Sequence, residues 1–195
     1  MFTKKSSDYE NLKMNSIGAN RFQIEEHPTS LDRKFCIMDE HDNCLYTVKS
    51  TLFAIGDKLT LSDGQGDELF KIRQQLKHLH LTFHIYDAGE QNDDDNERPV
   101  ATVKQIGFPL KHTLDIHSMY GDYHMQRNGG ITCNEYTLSK SGRIIAEIKR
   151  KFPAFAERYT VDIEEDVQQS EIPFILTLVI TLWCAQRYRG QGSGS

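Results

Sequence analysis

Large apolar residues recur at every second position through most of the chain, in short runs separated by Gly, Asp and Asn. The clearest run is HLHLTFHIY, residues 78–86. Leu79, Leu81, Phe83 and Ile85 face one way; His78, His80, Thr82, His84 and Tyr86 face the other. A period of two puts alternate side chains on opposite faces of an extended backbone, so this run predicts a strand with one buried face. KFCIMDE and NCLYTVKS repeat the signal around a polar turn at Glu40–Asn43. TLFAIG, KLTLSD and ELFKIRQ follow, the last after the turn SDGQGD. VATVKQI, HTLDIHS, DYHMQR, ITCNEYTLS, GRIIAEIKRK and ERYTVDI continue it. The turns NGG, at Asn128–Gly130, and KSG supply residues that tolerate positive φ. This makes about eleven or twelve strands, rich in β-branched and aromatic residues. No long amphipathic helix interrupts them, which argues against a parallel βαβ sheet. DAGEQNDDDNERP, Asp87 to Pro99, has nothing to bury and predicts a long exposed loop.

The period of two ends at EIPFILTLVITLWCAQRY, Glu171 to Tyr188. Ile172 to Ala185 carry no charge. Pro173 suits a first helical turn. Ser170 and Glu171 offer a cap and a negative charge at the positive end of the helix dipole, and Arg187 and Arg189 sit at the other end. These signals predict a helix near 171–188. The uncharged stretch spans about 21 Å at 1.5 Å per residue. That is short of the roughly 30 Å of a bilayer core. Its apolar side chains, Phe174, Ile175, Leu176, Leu178, Val179, Ile180, Leu182 and Trp183, surround the axis, with only Thr177 and Thr181 as a weak polar stripe. A helix apolar on every side must be buried on every side. In a chain of strands, a closed barrel with the helix as its plug does this. About twelve strands make a barrel wide enough for a helix roughly 10 Å across. The fold class expected is all-β with one central helix: a closed antiparallel barrel of about twelve strands around a buried C-terminal α-helix. The sequence leads one to expect a polar lead-in over 1–20, the barrel and helix over 21–189, and a flexible tail over 190–195.

Composition narrows the classes of partner. The chain has 195 residues, enough for one large domain, and a net charge of −5, which argues against a nucleic-acid binder. Its four cysteines, Cys36, Cys44, Cys133 and Cys184, are scattered with no C-x-x-C, and are expected to be reduced thiols. The N-terminus has no apolar signal core, so a cytoplasmic location is expected, with peripheral membrane contact as its extension.

FCIMDEHDNCLYTVKS, FAIGDKLTLSDGQGDELFKIRQ, EYTLSKSGRIIAEIKRKF and ERYTVDIEED, followed by a last apolar helix, together resemble the LURP-one-related family. The most specific pieces are the Asp63-Gly64 turn, the Gly142-Arg143 strand start and RYTVDI before the helix. That family belongs to the Tubby C-terminal-like superfamily, with the phospholipid scramblases. The resemblance covers about Arg21 to Tyr188. It implies a twelve-stranded barrel around a hydrophobic C-terminal helix. It also implies a non-enzymatic binding or adaptor protein, since Tubby domains bind phosphoinositides through basic residues and scramblases act at membranes. No motif carries the family's binding residues over by position. The partner expected is an anionic lipid headgroup or a protein, without nucleic acid, cofactor or transmembrane span.

The residues offer one candidate for that role. Lys149 and Lys151, with Arg143 and Arg158 nearby in sequence, form a basic cluster suited to lipid phosphate. Alternation splits it, since Arg150 takes the opposite face from Lys149 and Lys151; a solvated strand end is the plainer reading. His78 and His80 share a strand face at a spacing that can hold zinc, but no further ligand is signalled. They carry the alternative of a metal-dependent enzyme. Asp93–Asp95 lack the glycine and distant glutamate of a calcium loop. The other alternative is a scramblase-like or tail-anchored protein using Ile172–Ala185.

Overall fold

A computed structural model describes residues 21–28, 33–50, 58–75, 81–89, 98–107, 113–129, 133–151 and 158–190. These residues form twelve strands: β1 (Arg21–Pro28), β2 (Arg33–Met38), β3 (Cys44–Ser50), β4 (Lys58–Asp63), β5 (Glu68–Gln75) and β6 (Thr82–Asp87), then β7 (Ala101–Ile106), β8 (Thr113–Ser118), β9 (Gly121–Arg127), β10 (Glu135–Lys140), β11 (Arg143–Lys151) and β12 (Arg158–Ile163). A 3₁₀ turn, Gln169–Glu171, leads into the helix α1 (Ile172–Gly190). Each strand pairs antiparallel with its neighbours in sequence, and β1 pairs with β12, which closes the barrel. Among the described residues, closure leaves no sheet edge open to another chain.

Alternation decides what points inward. Phe22 and Ile24 on β1, Phe35 and Ile37 on β2, Leu59 and Leu61 on β4, Phe83 and Ile85 on β6, and Tyr159 and Val161 on β12 are all buried. β1 is a strand that its sequence signals poorly: RFQIEEHP has apolar residues at only two alternate positions, and the third, Glu26, is itself buried. TLFAIG and residues 76–80, expected in strands, lie outside the described residues.

α1 runs down the middle. Phe174, Ile175, Leu176, Leu178, Val179, Ile180, Leu182 and Trp183 are buried around its whole circumference. Phe35 meets Trp183 edge-on at 4.8 Å between ring centroids, and Phe174 packs against Phe70, Tyr120 and Tyr123. The Thr177 hydroxyl donates to the Pro173 carbonyl at 2.8 Å and the Thr181 hydroxyl to that of Thr177 at 2.9 Å, so the polar stripe is satisfied within the helix. The start of the helix differs from expectation. Ser170 is exposed and Glu171 ends the 3₁₀ turn; its carboxylate reaches across to the barrel wall.

The cysteines also differ: Cys36 and Cys44 form a disulfide, while Cys133 and Cys184 are in none. The reason is a β-bulge. Ile37 pairs with Tyr46 but Met38 pairs with Cys44, so Leu45 is the extra residue and Cys44 turns to the outer face, beside Cys36.

Tyr46 is buried opposite Asp63, and burial together with that carboxylate pushes its phenol up to about 12 from the ordinary 10.0. The neutral phenol therefore stabilises the fold fully below pH 10, and this contribution is lost as pH rises from 10 through about 12. Alkaline titration, read by tyrosinate absorbance and near-UV circular dichroism, should show declining stability across that range. Tyr46→Phe should make the decline shallower.

Candidate functional site

The helix fills the barrel, so binding falls to the outer wall and the two ends. Strand direction alternates around the barrel, so every element can be assigned to one end or the other. The entry end holds the start of α1, the starts of odd strands and the finishes of even ones; the exit end holds the C-terminal part of α1.

At the entry end, Glu171 clamps helix to wall. Its Oε1 accepts from Lys140 Nζ at 2.7 Å and from the Tyr123 hydroxyl, while the Lys140 ammonium lies 5.1 Å from the Tyr123 ring centroid. Burial, then the Glu171 hydrogen bond and charge, hold the Tyr123 phenol well above its usual range. Glu171→Gln removes the charge from a half-buried pair. It should lower stability by about 1–2 kcal/mol in urea denaturation. At the exit end, Gln186 Nε2 donates to the Tyr136 hydroxyl at 2.7 Å and Gln186 Oε1 accepts from the Tyr159 hydroxyl at 3.0 Å. Arg127 donates to the Tyr136 oxygen, and Arg187 lies over the Trp183 ring.

The ends carry opposite charge. Among the described residues, the acids Asp39, Glu40, Asp42, Asp63, Asp67, Glu68, Asp87, Asp122, Asp162, Glu164, Glu165, Asp166 and Glu171 lie towards the entry end. The cations there are Arg21, Lys71, Arg98, Lys140 and Arg143. Four of those five are paired locally: Arg21 with Asp162, Lys71 with Glu68, Lys140 with Glu171 and Arg143 with Asp166. The exit end reverses the balance. Lys34, Lys49, Lys58, Arg73, Lys104, Arg127, Lys149, Arg150, Lys151, Arg158 and Arg187 face Glu25, Glu26, Asp115 and Glu135. The six lysines in that group are exposed. α1 is oriented to match, its positive dipole end among acids and its negative end among cations.

The cross-strand register sharpens this. Lys34 stands directly opposite Lys49, Lys58 opposite Arg73, and Lys151 opposite Arg158. Like charges in register destabilise a sheet, by a few tenths to about 1 kcal/mol per pair. These three pairs are at the exit end; a fourth cation pair, Lys140 opposite Arg143, is at the entry end, where Glu171 holds Lys140 and Asp166 holds Arg143, and Glu147 opposite Asp162 is an acidic pair. Part of the repulsion is relieved: Arg158 donates to Glu25 at 2.7 Å, and Arg73 lies 4.8 Å over the Tyr86 ring.

The sequence-predicted cluster is divided by this geometry. Lys149, Lys151 and Arg158 lie together at the exit end. Arg143 begins the same strand at the opposite end, held by Asp166 in a two-pronged pair whose second bond is 2.9 Å. That pair keeps the Asp166 carboxyl below its usual range. Lys149 stands opposite Glu135 on one side and Thr160 on the other. The lysines of β2, β3, β4 and β7 were not legible as part of any cluster, because only the closed topology brings their strand ends together.

A second feature on the outer wall escaped the sequence. Asp115 is opposite His124 and His117 opposite Asp122, with Nδ1–Oδ1 distances of 2.6 and 2.9 Å. The four line a shallow cavity of about 280 Å³ with Ser139, Ser141 and Gly142. The Ser139 hydroxyl donates to the His124 carbonyl at 3.2 Å, so it is engaged with backbone. Among the described residues, no three or more His, Cys, Asp or Glu are grouped to hold a metal ion. His78, His80 and Asp93–Asp95 lie outside the described residues.

Comparison with known proteins gives one consistent result. The family model described as LURP-one-related matches residues 20–183. The chain is similar to Protein LURP-one-related 10 of Arabidopsis thaliana, 25% identical over 166 residues, covering 79% of this chain and 83% of that protein. It is also similar to Protein LURP-one-related 15 of the same plant, 30% identical over 86 residues, covering 44% of this chain and 38% of that protein. An X-ray structure of an Arabidopsis thaliana protein shares the fold, with a TM-score of 0.58 at 21% identity over 85% of this chain and 91% of that one.

Proposed function

The chain belongs to the LURP-one-related family, and from that premise we propose that it is a non-enzymatic binding protein that docks its exit end on an anionic phospholipid surface. The observation that carries this reading is the set of in-register cation pairs, Lys34–Lys49, Lys58–Arg73 and Lys151–Arg158, gathered at one end of the barrel. The cation pair at the entry end, Lys140–Arg143, has a carboxylate for each member, Glu171 and Asp166, whereas the exit-end pairs bring exposed lysines together; an anionic surface pressed against those lysines turns the repulsion into attraction. Each Lys or Arg near such a membrane adds about 1 kcal/mol. Docking is peripheral, on the cytoplasmic face, and headgroup phosphate is the chemistry recognised, phosphoinositides included. No helix among the described residues is long and apolar enough to cross a membrane. Releasing α1 into lipid would strip the barrel of its core, which disfavours a tail-anchored mode.

Co-sedimentation with vesicles tests this. The protein should pellet with phosphatidylcholine vesicles containing phosphatidylserine or a phosphoinositide, and stay in solution with phosphatidylcholine alone. Raising salt from about 0.05 to about 0.5 M should release it, because the Debye length shrinks to a few ångströms. Lys149→Glu with Lys151→Glu should weaken binding. Absence of binding to anionic vesicles at the lower salt would sink the proposal.

A further inference from the structure

The barrel contains an internal control for its own disulfide. Hairpins β2–β3 and β4–β5 are built on one plan. In the first, Asp39 N donates to the Asn43 carbonyl at 3.0 Å and Asp42 N to the Asp39 carbonyl at 3.2 Å. In the second, Asp63 N donates to the Asp67 carbonyl at 3.0 Å and Gly66 N to the Asp63 carbonyl at 3.1 Å. Each leading aspartate also caps its loop. Asp39 Oδ1 accepts from His41 N and Asn43 N at 2.8 and 2.9 Å; Asp63 Oδ1 accepts from Gln65 N and Asp67 N, both at 2.9 Å. The fourth loop residue has positive φ in both, 62° at Asp42 and 92° at Gly66. Each hairpin then has a bulge at the same place, with Met38 opposite Cys44 in one and Ser62 opposite Glu68 in the other.

Thr60 and Glu68 therefore occupy in β4–β5 the places that Cys36 and Cys44 occupy in β2–β3. The second hairpin closes with the same ladder, loop and bulge and with no covalent link. Backbone pairing and the aspartate cap are sufficient for this hairpin; the sulfur–sulfur bond is surplus to its folding. Cys44 is exposed, Cys36 is half-buried, and both lie on the outer wall, away from α1. Their Cα atoms are 5.9 Å apart, set by the ladder whether or not the sulfurs are joined.

We propose that Cys36 and Cys44 form a reversible dithiol–disulfide modification site that exchanges with low-molecular-weight disulfides of the glutathione class. The exposed Cys44 thiolate attacks one sulfur of the small disulfide, forming a mixed disulfide and releasing one thiolate. The Cys36 thiolate then attacks the Cys44 sulfur, forming the Cys36–Cys44 bond and expelling the second thiolate. The two protons lost by the cysteines are taken up by the two released thiolates. The protein loses two electrons and the small disulfide is reduced to two thiols. Reduction runs the same steps backwards.

The test equilibrates the full chain, carrying Cys133→Ser to remove the other accessible thiol, in mixtures of glutathione and glutathione disulfide. Intact mass and maleimide labelling read the products; Cys184, buried in α1, stays unlabelled in the folded protein. The two thiols should oxidise together, with loss of two hydrogen masses. Diluting the glutathione couple tenfold at a fixed ratio should raise oxidised over reduced protein about tenfold, because one disulfide is balanced against two thiols. Far-UV circular dichroism should be the same in both states. Adding Cys36→Ser should leave Cys44 trapped as its glutathione adduct. A pair that stays reduced in excess glutathione disulfide, a barrel that unfolds on reduction, or no adduct on the Cys36→Ser protein would each overturn the proposal.

Discussion

Replacing Trp183 with Ala should lower stability by about 3–5 kcal/mol, the range for deleting a large buried aromatic. Trp183 is 2% exposed, set edge-on to Phe35 and covered by the Arg187 guanidinium. The size of the effect follows from the architecture. In a helix packed on an open sheet, neighbours can move in to fill a hole. Here the walls are fixed by a continuous antiparallel ladder that closes on itself, so the cavity left behind stays open. A chain of this size loses about 2–4 °C of melting temperature per kcal/mol, so the midpoint should fall by about 10 °C. Urea denaturation gives the free energy directly, and Met119→Ala, at a side chain 72% exposed, serves as the control that should change little. Leu178→Lys should do more harm than Trp183→Ala, since it places a charge at a position only 1% exposed in the core of the barrel. If Trp183→Ala cost less than about 1 kcal/mol, α1 would not be the packed centre of the barrel.

The helix was legible in sequence because its signal is local. Being apolar on all sides is a property of Phe174 to Trp183 alone, and burial on all sides is its only outcome in water. Strand positions were legible for the same reason, wherever alternation ran over several residues, as in Phe83 and Ile85. β1 was harder, because Glu26 interrupts its inward face. Features that depend on register could not be read. Asp115 and His124 are ordinary polar residues until β8 and β9 are aligned. Cys44 faces the wrong way by simple alternation, and only the bulge at Leu45 turns it towards Cys36. The basic cluster was divided, with Lys149, Lys151 and Arg158 kept together and Arg143 placed at the other end. Closeness in sequence joined Arg143 to Lys149 and Lys151, but an extended strand carries residues eight apart roughly 26 Å away from each other. Closeness in the closed sheet instead joins Lys149 and Lys151 to Lys34, Lys49 and Lys58.

The triple variant Lys34→Glu, Lys58→Glu, Lys151→Glu should become more stable and at the same time bind anionic vesicles about 100-fold less well. Each substitution changes one member of a like-charge pair and leaves the other, so it converts a repulsive cross-strand contact into an attractive one with Lys49, Arg73 or Arg158. Such exchanges are worth a few tenths to about 1 kcal/mol each, so melting temperature should rise by several degrees, most at low salt. Membrane attraction moves the other way. At about 1 kcal/mol per cation removed, three removals weaken binding by about 3 kcal/mol, which is roughly 100-fold, before the added repulsion is counted. Reversing the same number of charges at the entry end, with Glu40→Lys, Asp67→Lys and Glu164→Lys, should not weaken binding. The opposed signs are what separate this from a structural effect: a variant that merely damaged the fold would lose stability and binding together. A variant that gained stability and kept full affinity would show that the exit-end lysines do not meet the membrane.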